Sequence, residues 1–188
     1  MKKILIAIVI LVGLYFVGPH PDAPTFPGPS WNNIPNEPQA ITAFLQAKEA
    51  QNGNLKPDNQ GQIIYADAAN PQKTKTVVLY IHGFSASPME GNPLHKAIAK
   101  ALNANLVLAR VEDHGEFPTD STMAEASADK FYQSVENYYA LAKKLGDEVV
   151  VLGTSFGGAM SLVLATKHPE IKALMLYGPC IAIKDPTA

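Results

Sequence analysis

Glu148-Val149-Val150-Val151-Leu152-Gly153-Thr154-Ser155-Phe156-Gly157 sets an apolar, β-branched run directly before a G-x-S-x-G pattern, and a helical stretch follows it. Strand, sharp turn, helix is the setting in which such a serine becomes a nucleophile. Gly153 and Gly157 permit close backbone approach and unusual φ where a strand must turn abruptly. The turn lifts the Ser155 hydroxyl out of the C-terminal edge of a sheet. It also sets it at the start of the next helix, where free N–H groups favour a developing anion. The competing reading is a glycine-rich strand–helix turn with an incidental serine; the flanks favour the nucleophile.

Outward from this turn, strands alternate with helices. Gln62–Ala66 reads as a weak strand, Thr76–Ile81 as a strong one that is nearly all apolar, and Leu106–Val111 as another buried strand. Glu148–Leu152 and Ile171–Tyr177 follow. Helices are expected over Glu37–Gln51, over Pro88–Ala104 with Leu94, Ile98 and Leu102 at spacings of four, and over Phe156–Lys167. A long helix is expected from Thr122 to Leu145, started by Ser121 or Thr122 with Glu125 completing a capping box. This order predicts an α/β protein with a doubly wound, mostly parallel sheet.

A second motif follows the strongest strand. In Tyr80-Ile81-His82-Gly83-Phe84-Ser85-Ala86-Ser87 a His-Gly opens the loop, and the Gly-x-Ser-x-Gly-Gly turn comes later in the chain. Over roughly residues 60–180 this order of parts resembles the α/β-hydrolase family, especially its lipase/esterase and acyl-peptidase-like members. The resemblance implies a serine hydrolase acting on a small-molecule ester or amide without a cofactor. It implies an oxyanion hole from the backbone N–H groups of Phe84 and Phe156, with Ser155 as nucleophile at an elbow formed by Gly153 and Gly157. His82, Gly83, Ser85 and His114 are expected to shape the loops around the site, with Phe117 and Pro118 at its mouth.

Acyl transfer also needs a base to take the serine proton, usually a histidine oriented by a carboxylate. In this family the acid and then the histidine follow the serine. After Ser155 the sequence offers His168, Glu170 and Asp185. His168 lies 13 residues along the helix that starts at the serine, about 20 Å away at 1.5 Å per residue, and cannot serve as that base. Asp185 is a faint candidate for the acid. The expectation is therefore a sheet lacking the family's C-terminal strands, in the N-terminal portion of a longer enzyme. The alternative is a catalytically inactive hydrolase-like domain with a binding role. A thinner possibility recruits Asp113-His114 or His82 as a substitute base.

Composition narrows the remaining classes. The chain of 188 residues is 47% hydrophobic with net charge −2, enough for a real core and no basic groove, so nucleic acid is not an expected partner. Cys180 is the single cysteine, which rules out an intrachain disulfide; it reads as a small buried hydrophobe, and no Cys/His spacing resembles a metal site.

At the N-terminus Met1-Lys2-Lys3 precedes an unbroken apolar run from Ile4 to Gly18. Two readings stay open, a cleaved signal peptide and an uncleaved signal-anchor; the lack of an A-x-A-like site favours the anchor. The expected location is the cell membrane with the domain outside the cytoplasm, or the periplasm or exterior after cleavage. Seven prolines between Pro19 and Pro38 mark an extended spacer, in which Trp31 and Ile34 could dock on the domain. The expected organisation is thus 1–18 signal or anchor, 19–38 spacer, and 39–188 hydrolase domain incomplete at its C-terminus.

Overall fold

A computed structural model describes residues 2–18, 23–119 and 123–182. Five strands form one sheet in the order β1 (Gln62–Ile64), β3 (Asn105–Ala109), β2 (Thr74–Ile81), β4 (Gly146–Thr154), β5 (Ala173–Tyr177). β1 runs antiparallel to β3 and every other pairing is parallel. The register pairs Ile81 with Ala109 and with Gly153, and Thr154 with Tyr177. One edge of the sheet therefore gathers the loops that leave β2, β3, β4 and β5. In open α/β sheets this carboxyl edge is where sites form.

Period-two alternation explains why the central strands are apolar throughout. Val77, Leu79 and Ile81 of β2 face one side, with Val107, Val149 and Val151. Val78 and Tyr80 face the other, with Leu106, Leu108 and Leu152. The first face is covered by α2 (Pro38–Glu49), α4 (Ala128–Leu145) and α5 (Phe156–Lys167). The second is covered by α3 (Leu94–Ala101), so the sheet is wound on both sides as expected.

Several boundaries differ from the sequence expectation. Pro88–Gly91 is a short 3-10 turn, and α3 begins only at Leu94, after Pro93. The face of α3 that packs on the sheet carries His95 and Ala99, whereas Leu94 and Leu102 are exposed. Of the three leucine and isoleucine positions at spacings of four, only Ile98 packs on the core. α4 starts at Ala128, because the Ser127 hydroxyl accepts from the Lys130 N–H at 3.2 Å and caps it. Glu125 therefore lies ahead of the helix, and Ser121 and Thr122 lie outside the described residues. Cys180 is exposed rather than buried.

Residues 23–37 run along the outside of α4. Asp129 accepts hydrogen bonds from the Thr25 and Phe26 N–H groups, at 2.7 and 2.9 Å. Asn137 Oδ1 accepts from those of Ser30 and Trp31, at 2.6 and 2.9 Å. The Trp31 ring sits 5.0 Å from Tyr138 and 5.7 Å from Phe44.

The N-terminal helix corrects a larger expectation. α1 spans Lys2–Val17, 16 residues, or about 24 Å at 1.5 Å per residue. A hydrocarbon core is about 30 Å thick, and tilting a helix only shortens its reach. Among the described residues no helix is long and apolar enough to cross a membrane. The expected transmembrane signal-anchor is therefore overturned. With it fall membrane attachment through α1 and the cell-membrane location built upon that anchor.

Candidate active site

Ser155 occupies the turn between β4 and α5 with φ +50° and ψ −114°. L-residues hold such a conformation only where the surroundings impose it, at a cost of about 1–3 kcal/mol. Here three neighbours impose it. The Ser155 N–H donates to the Tyr177 carbonyl at 2.9 Å, and its own carbonyl accepts from Ala159 at 3.2 Å and Cys180 at 3.0 Å. The ends of β5 and α5 thus hold the turn from both sides.

The flanking glycines are required by packing. A Cβ on Gly153 would stand 2.5 Å from Ser161 Oγ and 2.7 Å from the Gly157 carbonyl. One on Gly158 would stand 2.9 Å from Pro179 Cβ. The backbone can close this tightly only without side chains. Ser155 itself is exposed, and its hydroxyl has no hydrogen-bond partner among the described residues.

The loop after β2 reaches the same place. A Cβ on Gly83 would lie 3.5 Å from Ser155 Cβ, so the His-Gly segment abuts the serine. The Phe84 and Phe156 rings pack edge to face at 6.0 Å. Phe131 of α4 supports both, at 6.3 and 5.7 Å. Neither the Phe84 N–H nor the Phe156 N–H donates a hydrogen bond to a described residue. Ser85 is exposed with φ +56°. With Ser87, His114, Gly115, Pro118 and Met123 it lines a cavity of about 350 Å³. Phe117 lies outside that cavity, exposed.

His82 is fully buried, and both ring nitrogens are engaged. Nδ1–H donates to the Gly83 carbonyl at 2.8 Å, and Nε2 accepts from the Val111 N–H at 3.0 Å. Nε2 can accept only if the ring is neutral, and burial lowers the pKa to about 4. His82 therefore fastens the β2 loop to the β3 loop and has no nitrogen left for a serine proton. His114 packs between His82, Phe84 and Phe131, edge to face with the two phenylalanines, with ring centroids 5.1–5.5 Å away. Its Nδ1–H goes to the Glu112 carbonyl at 2.8 Å, and burial lowers its pKa. Asp113 is turned instead to Lys130 Nζ, at 2.8 Å. Asp113 and His114 thus form no acid–base pair.

His168 sits at the far end of α5, bonded to Glu136 at 2.9 Å and stacked on Tyr139 at 4.3 Å. Asp185 lies outside the described residues. Among the described residues no group of His, Cys, Asp or Glu could hold a metal ion.

Two arrangements escaped the sequence reading. Glu90 folds back from the 3-10 turn so that its carboxylate accepts from the Gly83 N–H at 2.7 Å and from the Tyr80 hydroxyl at 3.0 Å. Ser87-Pro88, a cap followed by proline at N1, was the signal that could have revealed that turn. Glu49, Arg110 and Tyr138 form a buried network at the floor of a polar cavity of about 700 Å³. Ser155 lines neither cavity.

The comparisons with known proteins bear on the fold. Over 106 residues the chain is 36% identical to a thermostable monoacylglycerol lipase from Bacillus sp. strain H-257, covering 56% of this chain and 41% of that one. A structure of a metagenome-derived lipolytic enzyme superposes with a TM-score of 0.57 at 23% identity, covering 71% of this chain and 51% of that one. The chain carries the α/β-hydrolase fold. A Pyrococcus furiosus esterase gives a TM-score of 0.50 at 18% identity, covering 68% of this chain and 48% of that one. No family model matches the chain. It spans about half the length of these relatives, or less.

Proposed function

We propose that this α/β-hydrolase is a serine hydrolase in which Ser155 attacks an ester or amide carbonyl. The observation that carries the reading is the elbow itself: an exposed serine at φ +50°, its hydroxyl unengaged among the described residues, at the N-terminus of α5 and against Gly83. The Phe84 and Phe156 N–H groups, both without a partner among the described residues, are assigned to the oxyanion. Each such donor contributes about 3 kcal/mol to an acyl-transfer transition state. An ester is the favoured substrate class, because the relatives are a monoacylglycerol lipase and lipolytic enzymes.

The general base is assigned to none of the described histidines. His82 is doubly bonded, His114 has no carboxylate on its Nδ1, and His168 is at the wrong end of α5. In this reading the base belongs to the part of the relatives' length that the chain does not span. Residues 39–188 then supply the nucleophile and the oxyanion donors.

Fluorophosphonate labelling of the 188-residue chain tests the proposal, with Ser155→Ala as control. Slow labelling confined to Ser155 is expected, since in this reading the chain holds the nucleophile without its base. Absence of any Ser155-dependent labelling, even at alkaline pH, leaves a binding role as the better account. Rapid labelling that is lost on replacing His114 would assign the base to this chain.

A further inference from the structure

Gly83 is held at both ends. Its N–H donates to Glu90 Oε2 at 2.7 Å. Its carbonyl accepts from His82 Nδ1–H at 2.8 Å and from the Ala86 N–H at 3.2 Å. In a planar trans peptide the C=O and the next N–H point in opposite directions. Fixing the Gly83 carbonyl against His82 and Ala86 therefore turns the Phe84 N–H to the opposite side, free of any described partner.

Glu90 also reaches the elbow. The Tyr80 hydroxyl donates to the same carboxylate oxygen at 3.0 Å, and the Thr154 hydroxyl lies 3.2 Å from the Tyr80 oxygen. Because the Tyr80 proton is committed to Glu90, Thr154 is the donor in that contact. Thr154 immediately precedes Ser155. A Cβ on Gly83 would meet Glu90 Oε1 at 3.0 Å and Ser155 Cβ at 3.5 Å, so carboxylate and serine bracket one α-carbon.

We infer that Glu90 is a positioning residue for the reaction proposed at Ser155: through Gly83 on one side, and Tyr80 with Thr154 on the other, it locks the oxyanion loop to the nucleophile elbow. The inference rests on the Ser155 reading. Its role is geometric rather than electrostatic, because a negative charge beside a developing oxyanion opposes it. What the carboxylate contributes is an acceptor that serves two donors at once through charge-assisted hydrogen bonds. Glutamine keeps an oxygen at that place; alanine does not.

The test uses the full chain and its Glu90→Ala, Glu90→Gln and Tyr80→Phe variants, with two readouts. The first is the rate of fluorophosphonate labelling at Ser155. Alanine is expected to slow it by about tenfold to a hundredfold, the scale of small misplacements in a reacting site. Glutamine is expected to restore it to within about threefold, and Tyr80→Phe to fall between. The second is the Gly83 amide proton resonance by NMR, which should lie downfield in the wild type and move upfield in Glu90→Ala, where its acceptor is gone. An alanine variant that labels at the wild-type rate, or a glutamine variant as slow as alanine, overturns the inference. A Gly83 amide that ignores Glu90 overturns it whatever Ser155 does. A wild type that never labels, yet shows the downfield amide, sinks the Ser155 reading and leaves the clamp itself standing.

Discussion

Gly157 lies directly against the Ile81–His82 peptide: a Cβ there would press into the Ile81 carbonyl and stand 2.5 Å from that of His82. The first turn of α5 and the end of β2 are thus in backbone contact, which is what brings the serine and the His-Gly loop together. Gly157→Ala should cost about 3 kcal/mol, since neither backbone can retreat from the added methyl. Urea unfolding would register this as a lower midpoint at unchanged slope. An unmoved midpoint would mean that the two segments are not in contact.

Ser155 presents the opposite case, a residue whose conformation works against stability. Its side chain caps nothing, and its φ of +50° suits glycine better than serine. Ser155→Gly should raise stability by about 1 kcal/mol while abolishing fluorophosphonate labelling. A glycine variant less stable than wild type would show that the serine side chain holds the turn, contrary to the geometry.

The buried histidines make stability depend on acid. His82 has a folded pKa of about 4 against 6.5 when unfolded. Between those values the unfolded chain binds the extra proton, so stability is fully present above pH 6.5 and is lost as pH falls toward 4. The loss attributable to His82 is at most on the order of 3 kcal/mol. Burial lowers the pKa of His114 and of His95 as well, so both act in the same direction. Denaturant titrations from pH 7 to 4 should show a slope shallower by about one proton in His82→Gln than in wild type. Equal slopes would mean that His82 is not buried neutral.

The polar network beside α4 predicts non-additivity. Arg110 and Glu49 are each 5% exposed and joined at 2.6 Å, and Tyr138 donates to Glu49 at 2.5 Å. Glu49→Leu should cost about 3–5 kcal/mol, because it strands a buried guanidinium. Adding Arg110→Met should recover part of that loss, so the double variant is the more stable of the two. A double variant worse than Glu49→Leu would place the value of Arg110 elsewhere than in the pair.

Legibility followed the range of the interactions. Phe156–Lys167 was read to the residue, because a steric turn and an apolar helix signal themselves within a few positions. The α3 face was misread because His95, a polar residue, fills the buried position beside Tyr80, at 5.0 Å between rings. The start of α4 was misplaced because several Ser and Thr residues could cap it, and the choice of Ser127 is not written in its neighbours. The anchor was misread because an unbroken apolar run signals a membrane more loudly than its length allows.

The sequence by itself determined the strand–turn–helix elbow at Ser155 and the alternation of strands and helices. Both are local: glycines where a strand must turn sharply, and apolar periodicity over single elements. Only the tertiary structure decided what the polar residues do. That His82 fastens two loops, that Glu90 meets Gly83 and Tyr80, and that Glu49 finds Arg110 61 positions away depend on which distant segments share a dry space. There, hydrogen bonds must be completed by whatever partner the fold brings near, and no local pattern specifies that partner.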